Sequence, residues 1–75
     1  MAVEIRYCQM CGGDADARRV EKEICKHLPS EVKLVDVGRG IFEVTDNGRV
    51  VFSKSIEGRF PRSMEIVRRL RGLNK

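Results

Sequence analysis

The spacing of apolar and polar positions changes repeatedly along the chain, and each change marks an element. In "AVEIRY", residues 2–7, Val3, Ile5 and Tyr7 alternate with Glu4 and Arg6, the period of two that half-buries a strand. After Gly12-Gly13 the period lengthens. Ala17, Val20, Ile24 and Leu28 recur on one side at helical spacing, with Asp14 as the expected N-cap and Pro29 as the stop. "VKLVDV", residues 32–37, is short and β-branched, and Gly38 with Gly40 separates it from a third strand, "IFEVT", at 41–45.

"DNG" at 46–48 then turns the chain into "RVVFSK". A two-residue turn at Asn47-Gly48 would set Phe42 and Val44 on the face of Arg49, Val51 and Ser53, mixing the two faces. A three-residue loop with Gly48 left-handed aligns Phe42 and Val44 with Phe52 and Val50 instead. Because a one-residue slip turns every side chain over, the second register is expected, with Glu43, Thr45 and Arg49 on the wetter face. Gly58 breaks the chain again, and Pro61 suits the first turn of a second helix. Its Ile66, Val67, Leu70 and Leu73 form an apolar side opposite Glu65, Arg68 and Arg69.

The order is therefore β-α-β-β-β-α. Strands one and two pair in parallel through a right-handed helical crossover, and strands three and four pair antiparallel. The alternating polarity of the strands calls for a sheet covered on one face only. The expected fold is a two-layer α/β (α+β) sandwich, a mixed four-stranded sheet with two helices on one face. At 75 residues it is read as one small domain, 1–75.

Composition refines this picture at three points. Hydrophobic residues at 41% and charged residues at 35% place the chain among ordinary globular domains and not disordered tails. Glu4 and Arg6 interrupt the first apolar stretch, so it resembles neither a signal peptide nor a membrane span, and a cytoplasmic setting is expected. Charge is uneven: the net value is +4, yet Arg59 to Lys75 alone holds six basic residues against one acid, 6 − 1 = +5.

Cysteine supplies the candidate chemistry. Three cysteines, Cys8, Cys11 and Cys25, form no disulfide framework of the secreted kind. Cys8 and Cys11 stand in a CxxC between the first strand and the first helix. Fully extended, that segment would hold them roughly 10 Å apart, so the loop must bend before a disulfide can close. The bend brings the thiols to a helix N-terminus, where amide dipoles favour the thiolate, although Asp14 and Asp16 add opposing charge at the same end. A redox-active pair, Cys8 and Cys11, is the reading, with both as catalytic residues. A metal would need two more ligands. Cys25 and His27 are two positions apart on a helix and point about 160° apart, so they do not close on one ion. Cys25 is expected as a small buried residue and His27 as a solvated residue near the helix C-terminus. No cofactor and no metal are called for.

"YCQMCG" after the first strand, "GIFEVTDNGRVVFSK", and "EGRFP" before the last helix together resemble the Rdx family of small thioredoxin-like proteins related to selenoprotein W. The resemblance spans nearly the whole chain and implies a thioredoxin-like fold and a redox role. Selenocysteine in that family occupies the second motif position, here Cys11, so the resemblance favours Cys11 as the attacking residue, whereas thioredoxin logic favours Cys8. Two departures stand out: Arg59 follows Gly58 where the family often has a second glycine, and 38–41 lacks the proline that thioredoxins set opposite their CxxC.

The expected function is a thiol-disulfide redox protein that cycles between the dithiol and the Cys8-Cys11 disulfide and reduces a protein or glutathione disulfide. Its partners would be a thioredoxin-like redox protein or glutathione, with the chain a monomer or weak dimer and no membrane involved. Two alternatives stay open. One is a basic module binding an acidic protein or nucleic acid through the C-terminal segment. With Phe42 and Phe52 wanted for the core, few aromatics are left for stacking bases. The other is a structural zinc-linked dimer through two CxxC pairs.

Overall fold

The computed structural model describes residues 2–73, with side chains for 2–72, so Lys75 and the Leu73 side chain of the expected apolar face lie outside the described residues. The elements run β1 (Ala2–Tyr7), α1 (Asp14–His27), β2 (Glu31–Asp36), β3 (Glu43–Asp46), β4 (Arg49–Ser53), α2 (Lys54–Glu57) and α3 (Glu65–Leu73). The sheet order is β2-β1-β3-β4, with β1 parallel to β2 and antiparallel to β3, and β3 antiparallel to β4. The expected mixed four-stranded sheet is present, and α1 and α3 share one core with it.

That core follows from the two periodicities. Val3 and Ile5 of β1, Val44 of β3 and Phe52 of β4 point one way, and Ala17, Val20 and Ile24 of α1 meet Ile66, Val67 and Leu70 of α3 over them. Each of the larger side chains contributes roughly 1.5–3 kcal/mol on burial. Phe42, just before β3, packs edge-on against Phe52 at 6.5 Å and Phe60 at 5.4 Å between ring centroids.

Four expectations are corrected. The β3–β4 turn is a two-residue turn, with Asn47 at φ 51° and Gly48 at φ 84°, the double positive φ that matches strand twist. Val44 faces Phe52, not the Val50 that the longer loop would set opposite it, because the register then shifts: Thr45 faces Val50, Asp46 faces Arg49, and Val51 is the extra residue of a bulge. The bulge removes the face-mixing objection to the short turn, and it leaves Val50 half exposed instead of inward.

Asp14 is not the N-cap of α1. Gly13 takes that place with no side-chain cap, for a reason that belongs to the cysteine loop. Cys25 is exposed, not buried: it lies about 100° around the helix from Ile24, beyond the edge of the sheet-facing side.

The last helix starts at Glu65, not near Pro61. Residues 54–57 form a single helical turn that the periodicity does not reveal, closed by left-handed Gly58, whose N–H donates to the Lys54 carbonyl at 2.8 Å. Residues 59–64 then cross to α1. The Pro61 carbonyl accepts from Arg19 Nη2 at 2.6 Å, the Met64 N–H donates to Glu23 Oε1 at 3.2 Å, and Met64 itself is left-handed at φ 62°, which prevents an earlier helical start. Glu65 anchors the start of α3 to the strap before it and to the next helical turn. Its carboxylate accepts from Arg59 at 2.7 and 2.8 Å, from the Arg62 N–H at 2.9 Å and from Arg69 at 2.9 Å.

Candidate functional site

β1 ends at Tyr7 because its carbonyl is claimed from the side: it accepts the Val37 N–H at 2.8 Å and the Gly38 N–H at 3.3 Å. The chain then folds over at 8–13. The Gly12 N–H donates to the Gln9 carbonyl at 3.0 Å and the Gly13 N–H to the Cys8 carbonyl at 2.9 Å, so a β-turn nested within a wider turn brings Cys11 back over Cys8. Gly12 supplies the left-handed step at φ 83°. Gly13 supplies clearance, since a Cβ there would sit 3.1 Å from the Cys8 carbonyl oxygen. Its own carbonyl accepts the Ala17 N–H at 3.0 Å and starts α1, which is why the helix begins from a glycine and not from an aspartate cap.

The bend that the spacing demanded is therefore real, and the Cα atoms of Cys8 and Cys11 are 5.3 Å apart with the sulfurs joined as a disulfide. The two cysteines differ in access. Cys8 is 3% exposed, whereas Cys11 is exposed and its neighbour Met10 is almost fully so, at 98%. The opposing charge expected from Asp16 is partly taken up by Arg19, 3.3 Å from its carboxylate. Cys25 lies far along the exposed side of α1 and His27 closes that helix in the exposed position expected of it. Among the described residues no group of three or more His, Cys, Asp or Glu side chains converges as a metal site.

Sequence reasoning missed two contributors. Asp36, the last residue of β2, accepts the Gln9 N–H and the Gly38 N–H on one oxygen, each at 3.2 Å, and so ties the cysteine loop to the β2–β3 connection. An aspartate two positions before a glycine at a strand end was the available signal, the pattern of an Asx turn. The second is a groove of about 630 Å³ lined by Arg6, Val37, Arg39, Ile41, Lys54 and neighbours, which no local pattern could reveal because β1, β3, β4, the 37–42 connection and α2 together build it.

The basic C-terminal segment is less free than its charge implies. Arg59 and Arg69 are engaged by Glu57 and Glu65 and stack over Phe52, their guanidinium carbons 5.5 and 5.1 Å from the ring centroid. Arg59 is thus a partner of Glu65. No helix among the described residues is long and apolar enough to cross a membrane.

Comparison with known proteins agrees with this arrangement. The chain is 30% identical over 70 residues to the bovine and mouse proteins named "Migration and invasion enhancer 1", covering 92% of this chain and 61% of each of theirs, so it spans about three fifths of their length. A crystal structure of a selenoprotein W-related protein from Vibrio cholerae is similar in fold, with TM-score 0.84 at 24% identity over 99% of this chain and 96% of that one. A Bordetella parapertussis protein of known structure matches with TM-score 0.74 at 25% identity, over 95% and 94% of the two chains. The model of the Rdx family matches residues 2–72, and with the CxxC closed at the end of β1 the chain belongs to the Rdx family.

Proposed function

We propose that this chain is a thiol-disulfide oxidoreductase in which Cys11 attacks and Cys8 resolves. The observation that carries the assignment is the difference in access: Cys11 is exposed and Cys8 is 3% exposed within one closed pair. An attacking sulfur must approach its target disulfide in line, and only the outer cysteine has room for that. In the reducing direction the Cys11 thiolate bonds to one sulfur of the substrate disulfide, and the other substrate sulfur leaves as a thiolate and takes up a proton. Cys8, losing its proton, then attacks the Cys11 sulfur, closes the Cys8-Cys11 disulfide and expels the second substrate sulfur as a thiol. Two electrons pass from the dithiol to the substrate, and a thiol reductant of the cytosol, a thioredoxin-like protein or glutathione, restores the pair.

The alternatives have less support. None of the four aromatic residues is exposed: Phe42 and Phe52 are buried, and Tyr7 and Phe60 pack against the core, which leaves no stacking platform for bases. A zinc ion shared between two CxxC pairs needs both sulfurs at the surface, and Cys8 is not. The test is a redox titration with alkylation trapping, together with single serine variants. Cys8 and Cys11 should oxidise together and reversibly, and Cys8→Ser should accumulate a mixed disulfide that Cys11→Ser does not form. Accumulation with Cys11→Ser alone would reverse the assignment, and a pair that never oxidises would end the redox reading.

A further inference from the structure

The strand directions gather an unusual set of side chains at the cysteine end of the sheet. β1, β2 and β4 run the same way and β3 opposes them, so the cysteine loop, the 37–42 connection and α2 all lie at that end. The groove opens there. Its wall at Val37 is hydrogen-bonded to Tyr7, the residue before Cys8, and Asp36 bridges Gln9 of the cysteine loop to Gly38.

Four charged side chains line it, Arg6, Arg39, Lys54 and Glu43, for 3 − 1 = +2. Arg6 is held by Glu4 at 3.1 Å. Arg39 and Lys54 make no ion pair with any described residue, while Arg59 and Arg69 of the more basic C-terminal segment are both engaged. Lys54 is positioned all the same: its Nζ lies 4.7 Å from the centroid of the Phe60 ring and 3.5 Å from the Gly40 carbonyl oxygen. Arg39 sits at φ 60° between Gly38 at 69° and Gly40 at 68°. Glycine takes that conformation freely and an L side chain takes it at a cost, so the turn spends stability on presenting a guanidinium. Around these cations the same end exposes Ile41 at 40%, Ile56 at 79% and Met10 at 98%.

We propose that this groove docks an acidic, extended segment of a protein partner and delivers that partner's disulfide to Cys11. The inference rests on the redox reading above and adds the substrate class. Two unpaired cations select carboxylates, and Ile41 on the groove wall, with Ile56 and Met10 exposed at the same end of the sheet, suits a polypeptide with more contact surface than a tripeptide has.

The test uses the reduced full chain and two disulfide-bridged peptides that differ only in glutamate or lysine flanks, with neutral 2-hydroxyethyl disulfide and oxidised glutathione as further substrates. At about 20 mM salt the acidic peptide should be reduced about tenfold faster than the basic one, and at about 0.5 M the difference should collapse. Arg39→Glu with Lys54→Glu should abolish or invert the preference, read as each peptide's rate relative to that of the neutral disulfide in the same variant. Arg39→Gly, which suits the left-handed turn and protects the fold, should lose about threefold of it. A preference that survives the double reversal overturns the docking site. Oxidised glutathione slowing as much as the acidic peptide overturns the polypeptide assignment in favour of the tripeptide. Failure to reduce even the neutral disulfide sinks the redox reading, and this proposal with it.

Discussion

Acidification should loosen the junction between α2 and α3 through one residue, Glu65. Its carboxyl is drawn from 4.5 down to about 2, first by the Arg59 hydrogen bonds, then by the Arg62 N–H and the charges of Arg59 and Arg69, with burial pulling the other way. A folded value below the unfolded one means that the unfolded chain takes up its proton first as pH falls. The stabilisation is therefore complete above about 4.5 and disappears as pH drops through about 2. The full shift at about 1.36 kcal/mol per unit would be worth about 3.4 kcal/mol. The arginine side chains that supply it are about a third exposed, and solvent screening reduces the figure to about 1–2 kcal/mol. Urea unfolding of the wild type and Glu65→Gln at pH 6, 4.5, 3 and 2 measures it. The variant should be less stable by about 1–2 kcal/mol at pH 6, and the two curves should converge towards pH 2. Carboxyl chemical shifts add a finer check, because Arg59→Met should move the Glu65 midpoint more than Arg69→Met does. Parallel stability curves across the whole range would show that the network contributes no pH-dependent stability and would refute the argument.

Three further substitutions probe the cysteine loop. Gly13→Ala, at an unstrained φ of −76°, would normally gain about 0.4–1 kcal/mol, but its Cβ meets the Cys8 carbonyl at 3.1 Å, so a loss of about 1 kcal/mol in the oxidised protein is expected by urea unfolding. A gain would show that the loop tolerates more room than its hydrogen bonds suggest. Asp36→Ala removes the acceptor shared by Gln9 and Gly38, costs about 1–2 kcal/mol locally, and should speed amide exchange at those two residues while Ile5 and Val44 keep their protection. Cys25→Ser should change stability by less than about 0.5 kcal/mol and leave the redox titration of the pair where it was, because the thiol is exposed and remote from the motif.

Much of the fold was legible because β1 and α1 each follow one clean period. Val3 and Ile5 are buried as alternation requires, and Ala17, Val20 and Ile24 as helical spacing requires. The parallel pairing of β1 and β2 followed from the crossover helix. The second half of the chain was harder to read because its local rules are broken by tertiary contacts. Residues 59–64 carry a proline that could open a helix, yet Arg19 and Glu23 of α1 hold that segment as a crossing strap, and no local window contains both partners. Cys25 shows the same limit at the margin of a helix, where periodicity places a residue on an edge but cannot say how far the sheet extends beneath it.

The hairpin shows how a rejected option can carry the right information. The Asn47-Gly48 pair favours a two-residue turn, and strict alternation forbids it, because Arg49, Val51 and Ser53 would face the core. One unpaired residue satisfies both demands: with Val51 bulged, the turn keeps its two positive φ values and Phe52 still meets Val44. Beyond the bulge alternation resumes, so Ser53 pairs with Glu43 and lines the groove with it, and β4 ends in the helical turn that begins at Lys54. The Lys54 N–H then donates to the Phe42 carbonyl at 2.9 Å, which fixes the start of α2 against the start of β3 and sets the Lys54 side chain at the groove. A register irregularity in the middle of the hairpin is thus part of what positions a cation at the groove. The groove could not have been read from any one strand, because its charges come from β1, the 37–42 connection, β3 and the residue that follows β4.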